Sequence, residues 1–168
     1  MSALADRLNE IDSRIARAAR DAGRDPEEIT RIVVTKFHPA SVVRALSELG
    51  VADVGENRQQ ELSAKQAELV DLGVRWHFIG QAQTNKAASI RRSASVVHSI
   101  DRVKLADAFH RAAENDAILD VLVQVNLTDD AGRGGVAPAD VRQLAEHVSG
   151  LDSLRLRGVM AVAPLDEE

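Results

Sequence analysis

The sequence contains neither cysteine nor tyrosine. Without thiols, disulfides, thiolate nucleophiles and zinc–thiolate sites are excluded together. Without a phenol, no acid or base of that kind operates on this chain. No apolar run approaches the length needed to cross a membrane. The N-terminal stretch mixes acids and bases at Asp6, Arg7 and Glu10, unlike a signal peptide. No basic block is present either: 21 Lys and Arg against 26 Asp and Glu leave a net charge of −5. Nucleic acid and anionic membranes are therefore disfavoured as partners. A cytoplasmic, soluble protein is the expectation.

What is present is organised around one lysine. Arg31-Ile32-Val33-Val34-Thr35-Lys36 is a short β-branched run, followed by Phe37-His38-Pro39. It reads as a buried parallel strand, covered on both faces and so apolar throughout. In α/β folds ligands bind at the carboxyl ends of strands, which is where Lys36 falls. An ammonium partly withdrawn from water there gives up its proton more readily, and the neutral amine can attack a carbonyl to form a Schiff base. The alternative is a strand-end lysine that merely reaches solvent.

Before this run, Leu4, Leu8, Ile11, Ile15 and Ala18 or Ala19 recur at helical spacing, predicting an amphipathic helix that stops near Gly23. Asp25-Pro26-Glu27-Glu28 supplies a cap, a first-turn proline and first-turn acids. After it a unit repeats. A helix over Pro39 to Leu49, closed by Gly50, leads to a strand over Val51 to Val54 ending in Gly55-Glu56-Asn57. A helix over Arg58 to Leu72 precedes a strand over Val74 to Ile79 ending in Gly80-Gln81. A helix from about Thr84 to Arg92 precedes a strand over Ser95 to Ile100, and Asp101 is expected to cap a helix reaching about Asn115. Ile118 to Asn126 is the most apolar strand, followed by the loop Gly132-Arg133-Gly134-Gly135. A helix from Pro138 to about Gly150 and a strand over Leu154 to Ala163 complete the series.

Strand, loop and helix recurring at intervals of about 20–30 residues form the βα repeat of a parallel α/β fold. Such a series opens into a doubly wound sheet or curls into a barrel. Six strands are legible in the 168 residues, whereas an eight-stranded barrel takes about 250 residues. A barrel ending just after the sixth strand, at Leu165-Asp166-Glu167-Glu168, would leave two unpaired edges that invite aggregation. The expectation is one domain over residues 1–168 with the C-terminal part of the barrel missing.

Polar groups collect at the strand ends: Lys36, Glu56 and Asn57, His77 with Gly80-Gln81, His98 and Asp101, Gln124 and Asn126. In a parallel barrel all of them face one mouth. Each also has a plainer reading as a turn, a cap or a core histidine. Gly132 to Gly135 lacks the ending and spacing of a phosphate loop and reads as a flexible loop. No histidine has a partner at metal-ligand spacing.

The order of Val34-Thr35-Lys36, Gly55-Glu56-Asn57 with Gln60-Glu61, and Trp76-His77-Phe78-Ile79-Gly80 with Gln83-Thr84-Asn85-Lys86 is specific. His98-Ser99-Ile100-Asp101, Gln124-Val125-Asn126 and Leu156-Arg157-Gly158-Val159-Met160 follow in turn. The set resembles the pyridoxal phosphate homeostasis proteins (the YggS/PROSC family) from residue 1 to about residue 164. The resemblance implies a (β/α)8 TIM barrel of the alanine racemase N-terminal domain type, with about six βα units in this chain and an extra N-terminal helix. It implies pyridoxal 5′-phosphate (PLP) as cofactor, Lys36 as the Schiff-base lysine and Asn57 beside the cofactor. Val34, His77 and Met160 are carried over as pocket-lining residues. The family's phosphate cup comes from a Gly-Met-Ser segment, and the arginine facing the pyridine nitrogen from a Val-Arg-Ile-Gly segment. Neither segment occurs here. Two lysines common in the family are replaced by His38 and Arg133.

The function implied is a carrier and homeostasis protein, not an enzyme. It would hold PLP on Lys36 and release it by transimination, with apo PLP-dependent enzymes as recipients, no metal, and a monomeric state when complete. A PLP-dependent racemase is the alternative, and it would need a second base that alanine racemase draws from a tyrosine in another domain. A lysine aldolase is a third reading, requiring a general acid beside Lys36.

Overall fold

The computed structural model describes residues 3–164. Six parallel strands form one sheet in strict chain order: β1 (Val33–Val34), β2 (Asp53–Glu56), β3 (Arg75–Phe78), β4 (Val96–Ile100), β5 (Leu119–Val125) and β6 (Leu154–Ala161). Helix α1 (Ala3–Asp21) precedes them. One helix follows each of the first five strands: α2 (Ala40–Glu48), α3 (Gln59–Glu68), α4 (Ala87–Ser93), α5 (Val103–Arg111) and α6 (Val141–Ser149). A doubly wound sheet reverses its strand order at a switch point. Here the order never reverses, which is the winding of a TIM-barrel-like fold. Among the described residues no helix is long and apolar enough to cross a membrane. The expected chain end at Leu165 to Glu168 lies outside the described residues.

The two faces of the sheet differ in chemistry. Val54, Trp76, Phe78, Val97, Val121 and Val123 are buried against the helices. The helices meet them with residues three or four apart: Val43 and Leu46 on α2, Leu105 and Phe109 on α5, Leu144 and Val148 on α6. The other face carries Asp53, Arg75, His77, His98, Asp120 and Arg155. The middle strands therefore alternate in polarity instead of being apolar throughout.

Three local expectations change. The strand expected over Arg31 to Lys36 is reduced to Val33–Val34, because β1 is an edge with β2 as its one described neighbour. Asp101 does not cap α5. Arg102 occupies that position without a side-chain cap bond, and Asp101 pairs with the Arg102 guanidinium. The glycine loop is not loose. Asp130 caps a short turn over Ala131–Arg133, and the chain returns to β5 through Val136 N–H to the Gln124 carbonyl (2.8 Å) and Asn126 N–H to the Val136 carbonyl (2.9 Å). Gly135 makes that return possible: it has φ +101, and a Cβ there would lie 2.6 Å from Asn126 N.

Candidate functional site

The end of β1 is held from several directions. Thr35 N–H donates to the Gly55 carbonyl at 2.9 Å, and Thr35 Oγ1 donates to Glu56 Oε1 at 2.6 Å. The Thr35 carbonyl accepts from Lys65 Nζ at 2.9 Å and from His38 N–H at 3.1 Å. Lys65 Nζ also lies 2.7 Å from Glu56 Oε1, closing a triangle of side chains. Thr35, Glu56 and Lys65 are 1%, 0% and 7% exposed. Every polar group of Thr35 is thus engaged, and Lys36 projects from a fixed neighbour.

Beyond Lys36 the chain turns sharply. Phe37 has φ +66, a left-handed conformation that costs a non-glycine residue on the order of 1 kcal/mol or more. Its N–H donates to Glu61 Oε2 at 3.2 Å. Its exposed ring lies between two cations, with Lys36 Nζ 5.8 Å and Arg58 Cζ 5.1 Å from the ring centre. Lys36 itself is solvent-exposed rather than partly desolvated, because it lies past the last bond of an edge strand. Among the described residues its ammonium meets no carboxylate.

Val34 pairs with Gly55, so the same register carries Lys36 to the level of Asn57 two residues on. Asn57 is half-buried, and its Oδ1 is buried with no hydrogen-bond partner among the described residues. A buried carbonyl oxygen left unpaired costs about 1–3 kcal/mol, which a ligand's donor group would recover. Asn57 borders a cleft of about 170 Å³ shared with Phe78, Gln81 and Lys86. Gly80 sets the position of Asn57: a Cβ on Gly80 would stand 2.0 Å from the Asn57 carbonyl oxygen. Only glycine allows that crossing.

The other carried-over residues are more dispersed. Val34, 44% exposed, borders a groove of about 580 Å³ between α1 and β1. His77 lies in register with Gly55, one layer below the mouth, and Ile79 on the same face leans over Gly55. Both ring nitrogens of His77 are engaged, Nε2 with Asp53 Oδ1 at 2.8 Å and Nδ1 with His98 Nε2 at 2.9 Å. Met160 pairs with Gln124 on β6, at the opposite edge of the sheet from Lys36. The structure brings Lys36 and Asn57 level at the ends of β1 and β2, sets Val34 and His77 one layer below them on either side of Gly55, and leaves Met160 on β6, the far strand of the sheet from β1.

The expected ring of polar strand ends also divides. Glu56 turns to α3, His77 and His98 turn to each other, and Asn126 is consumed in its own loop by Thr128 and Asp130. Lys65 is the residue of this site that the sequence motifs do not mark. The available signal was the position of Lys65 between Leu62 and Leu69, inside the apolar stripe of α3.

A family model described as alanine racemase, N-terminal domain, matches residues 7–168. The chain is 43% identical over 166 residues to the pyridoxal phosphate homeostasis protein of Pseudomonas aeruginosa, covering 96% of this chain and 71% of that protein. PipY of Synechococcus elongatus PCC7942 matches in two solved structures. The one without PLP gives a TM-score of 0.80 at 36% identity, over 92% of this chain and 73% of that one. The one with PLP bound gives 0.78 at 37% identity, over 91% and 72%. The chain thus has the fold of the alanine racemase N-terminal domain and, within it, belongs to the pyridoxal phosphate homeostasis protein family.

Proposed function

We propose that this protein binds PLP for intracellular homeostasis, with Lys36 as the residue that holds the aldehyde. The observation that carries the reading is the pairing of an exposed, carboxylate-free amine at Lys36 with the unpartnered Oδ1 of Asn57 one strand away. These two groups fit the cofactor: an amine for a carbonyl carbon, and an acceptor for a donor on the ring. When bound, PLP supplies an aldehyde that a neutral amine takes up as a Schiff base with loss of water, and that a second amine can displace.

The chain's own part is to present the amine. Thr35 holds the backbone behind Lys36, and Phe37 and Arg58 line the side of the turn. An exposed site favours release, since an incoming amine can reach it. In the cytoplasm those incoming amines would be the active-site lysines of apo-enzymes that need the cofactor. A carrier of this kind needs no second base.

The test is borohydride reduction after mixing with PLP, with the adduct mapped by peptide mass spectrometry. One adduct on Lys36, absent in Lys36→Ala, with no interconversion of D- and L-alanine, is the expected result. Adducts scattered over surface lysines would overturn the assignment of Lys36, and alanine turnover would overturn the carrier reading.

A further inference from the structure

We propose that the buried Lys65–Glu56 pair is a positioning device that clamps Thr35 and thereby aims Lys36 and the Phe37 turn. This rests on the reading that Lys36 takes up the aldehyde.

Three observations lead here. The first is that β1 is short: two residues long, with β2 as its described partner. A strand of that kind frays unless something other than its own ladder holds it. The second is the arrangement of the pair, whose bonds converge on Thr35: Lys65 Nζ on its carbonyl at 2.9 Å, Glu56 Oε1 on its hydroxyl at 2.6 Å. A lysine ammonium has three donors, and two are spent on this clamp. The third is its expense. Two charges withdrawn from water are seldom repaid by their mutual attraction, and apolar replacements of similar volume are often as stable. Glu56 Oε2 is moreover buried with no hydrogen-bond partner among the described residues. A leucine and a methionine would fill the space, but neither could hold the Thr35 carbonyl and hydroxyl. What the ions add over an apolar pair is direction at the residue before Lys36.

The experiment compares the unmodified chain with Glu56→Leu/Lys65→Met, which removes both charges together and leaves neither buried alone. Thr35→Val, which keeps the side-chain shape and deletes one bond to Glu56, runs in parallel. Three quantities are read: the melting temperature, amide hydrogen exchange along the sheet, and the rate of PLP capture at Lys36. The double variant should melt within about 3 °C of the parent. Exchange at the Thr35, Phe37 and His38 amides should accelerate about tenfold while β3 to β5 stay protected. Capture at Lys36 should slow about tenfold, because misplacing a reactive group by a fraction of an ångström is that costly. Thr35→Val should show the same local signature at smaller amplitude.

Unchanged exchange and capture in both variants would overturn the inference. So would exchange that accelerates uniformly over the whole sheet, since the pair would then be a general fold element. An unmodified chain that captures nothing on Lys36 would instead remove the parent reading, and this inference with it.

Discussion

Nδ1 of His77 lies 2.9 Å from Nε2 of His98, and this contact sets the proton positions of both rings. Nε2 of His77 faces Asp53 Oδ1 at 2.8 Å, and a carboxylate only accepts, so that nitrogen carries the hydrogen. Neutral His77 then accepts at Nδ1, and His98 donates from Nε2. Burial holds both rings toward the neutral form. For His77 it outweighs the opposing pull of Asp53; for His98 burial, and then repulsion from His77, depress the pKa to about 4.

Stability should therefore fall on acidification. The unfolded His98 titrates at 6.5 and the folded one at about 4, so between those values the unfolded chain binds the extra proton. The contribution is complete above pH 6.5 and lost progressively toward pH 4, by about 3 kcal/mol. Urea midpoints across this range measure it. His98→Gln, which keeps a donor toward His77, should flatten the part due to this ring. Identical slopes in the two proteins would refute the assignment.

Gly80→Ala should be costly out of proportion to one methyl group. The new Cβ would meet the Asn57 carbonyl at 2.0 Å, and backbone cannot swing aside as a flexible side chain can. A loss of about 2–4 kcal/mol is expected in denaturant unfolding, together with weaker PLP binding because Asn57 moves. A variant as stable as the parent would show that the crossing relaxes easily.

Asp120 gathers three arginines from two strands, β3 and β6. Arg155 Nε lies at 2.6 Å, Arg75 Nη2 at 3.7 Å and Arg157 Nε at 3.8 Å, and the carboxylate holds Arg155 above its ordinary pKa. Asp120→Asn leaves three guanidiniums on one sheet face without this anion. They are each about half-exposed, so water offsets part of the cost and a loss of about 1–2 kcal/mol follows. Raising salt to about 0.5 M should restore some of it. Salt-independent destabilisation would mean that packing, not charge, is lost.

Asn57→Ala separates binding from folding. The side chain makes no hydrogen bond among the described residues and its Oδ1 is buried unpaired, so the variant should be at least as stable as the parent, by up to about 1–3 kcal/mol. PLP affinity should drop about 5–20-fold, the worth of one lost hydrogen bond, in a spectrophotometric titration. An unchanged affinity would remove Asn57 from the site.

The local grammar of this chain was open to reading. Apolar spacing three and four apart marked α1, proline and glycine marked the ends of α2 and α6, β-branched runs marked the strands, and Lys36 fell at a strand's carboxyl end from its position alone. Those features depend on neighbours within a turn of helix or a strand's length, which the order of residues determines. The partners of the charged groups were a different matter. Glu56 could face the mouth or the helix layer, and only the register of β1 on β2 and the packing of α3 turned it to Lys65. His77 and His98, 21 residues apart, and Asp120 and Arg155, 35 apart, meet because strands pair in a particular register, and a period of two does not encode which residue stands opposite. The exposure of Lys36 and the shortness of β1 likewise belong to the assembled sheet and not to any stretch of the chain.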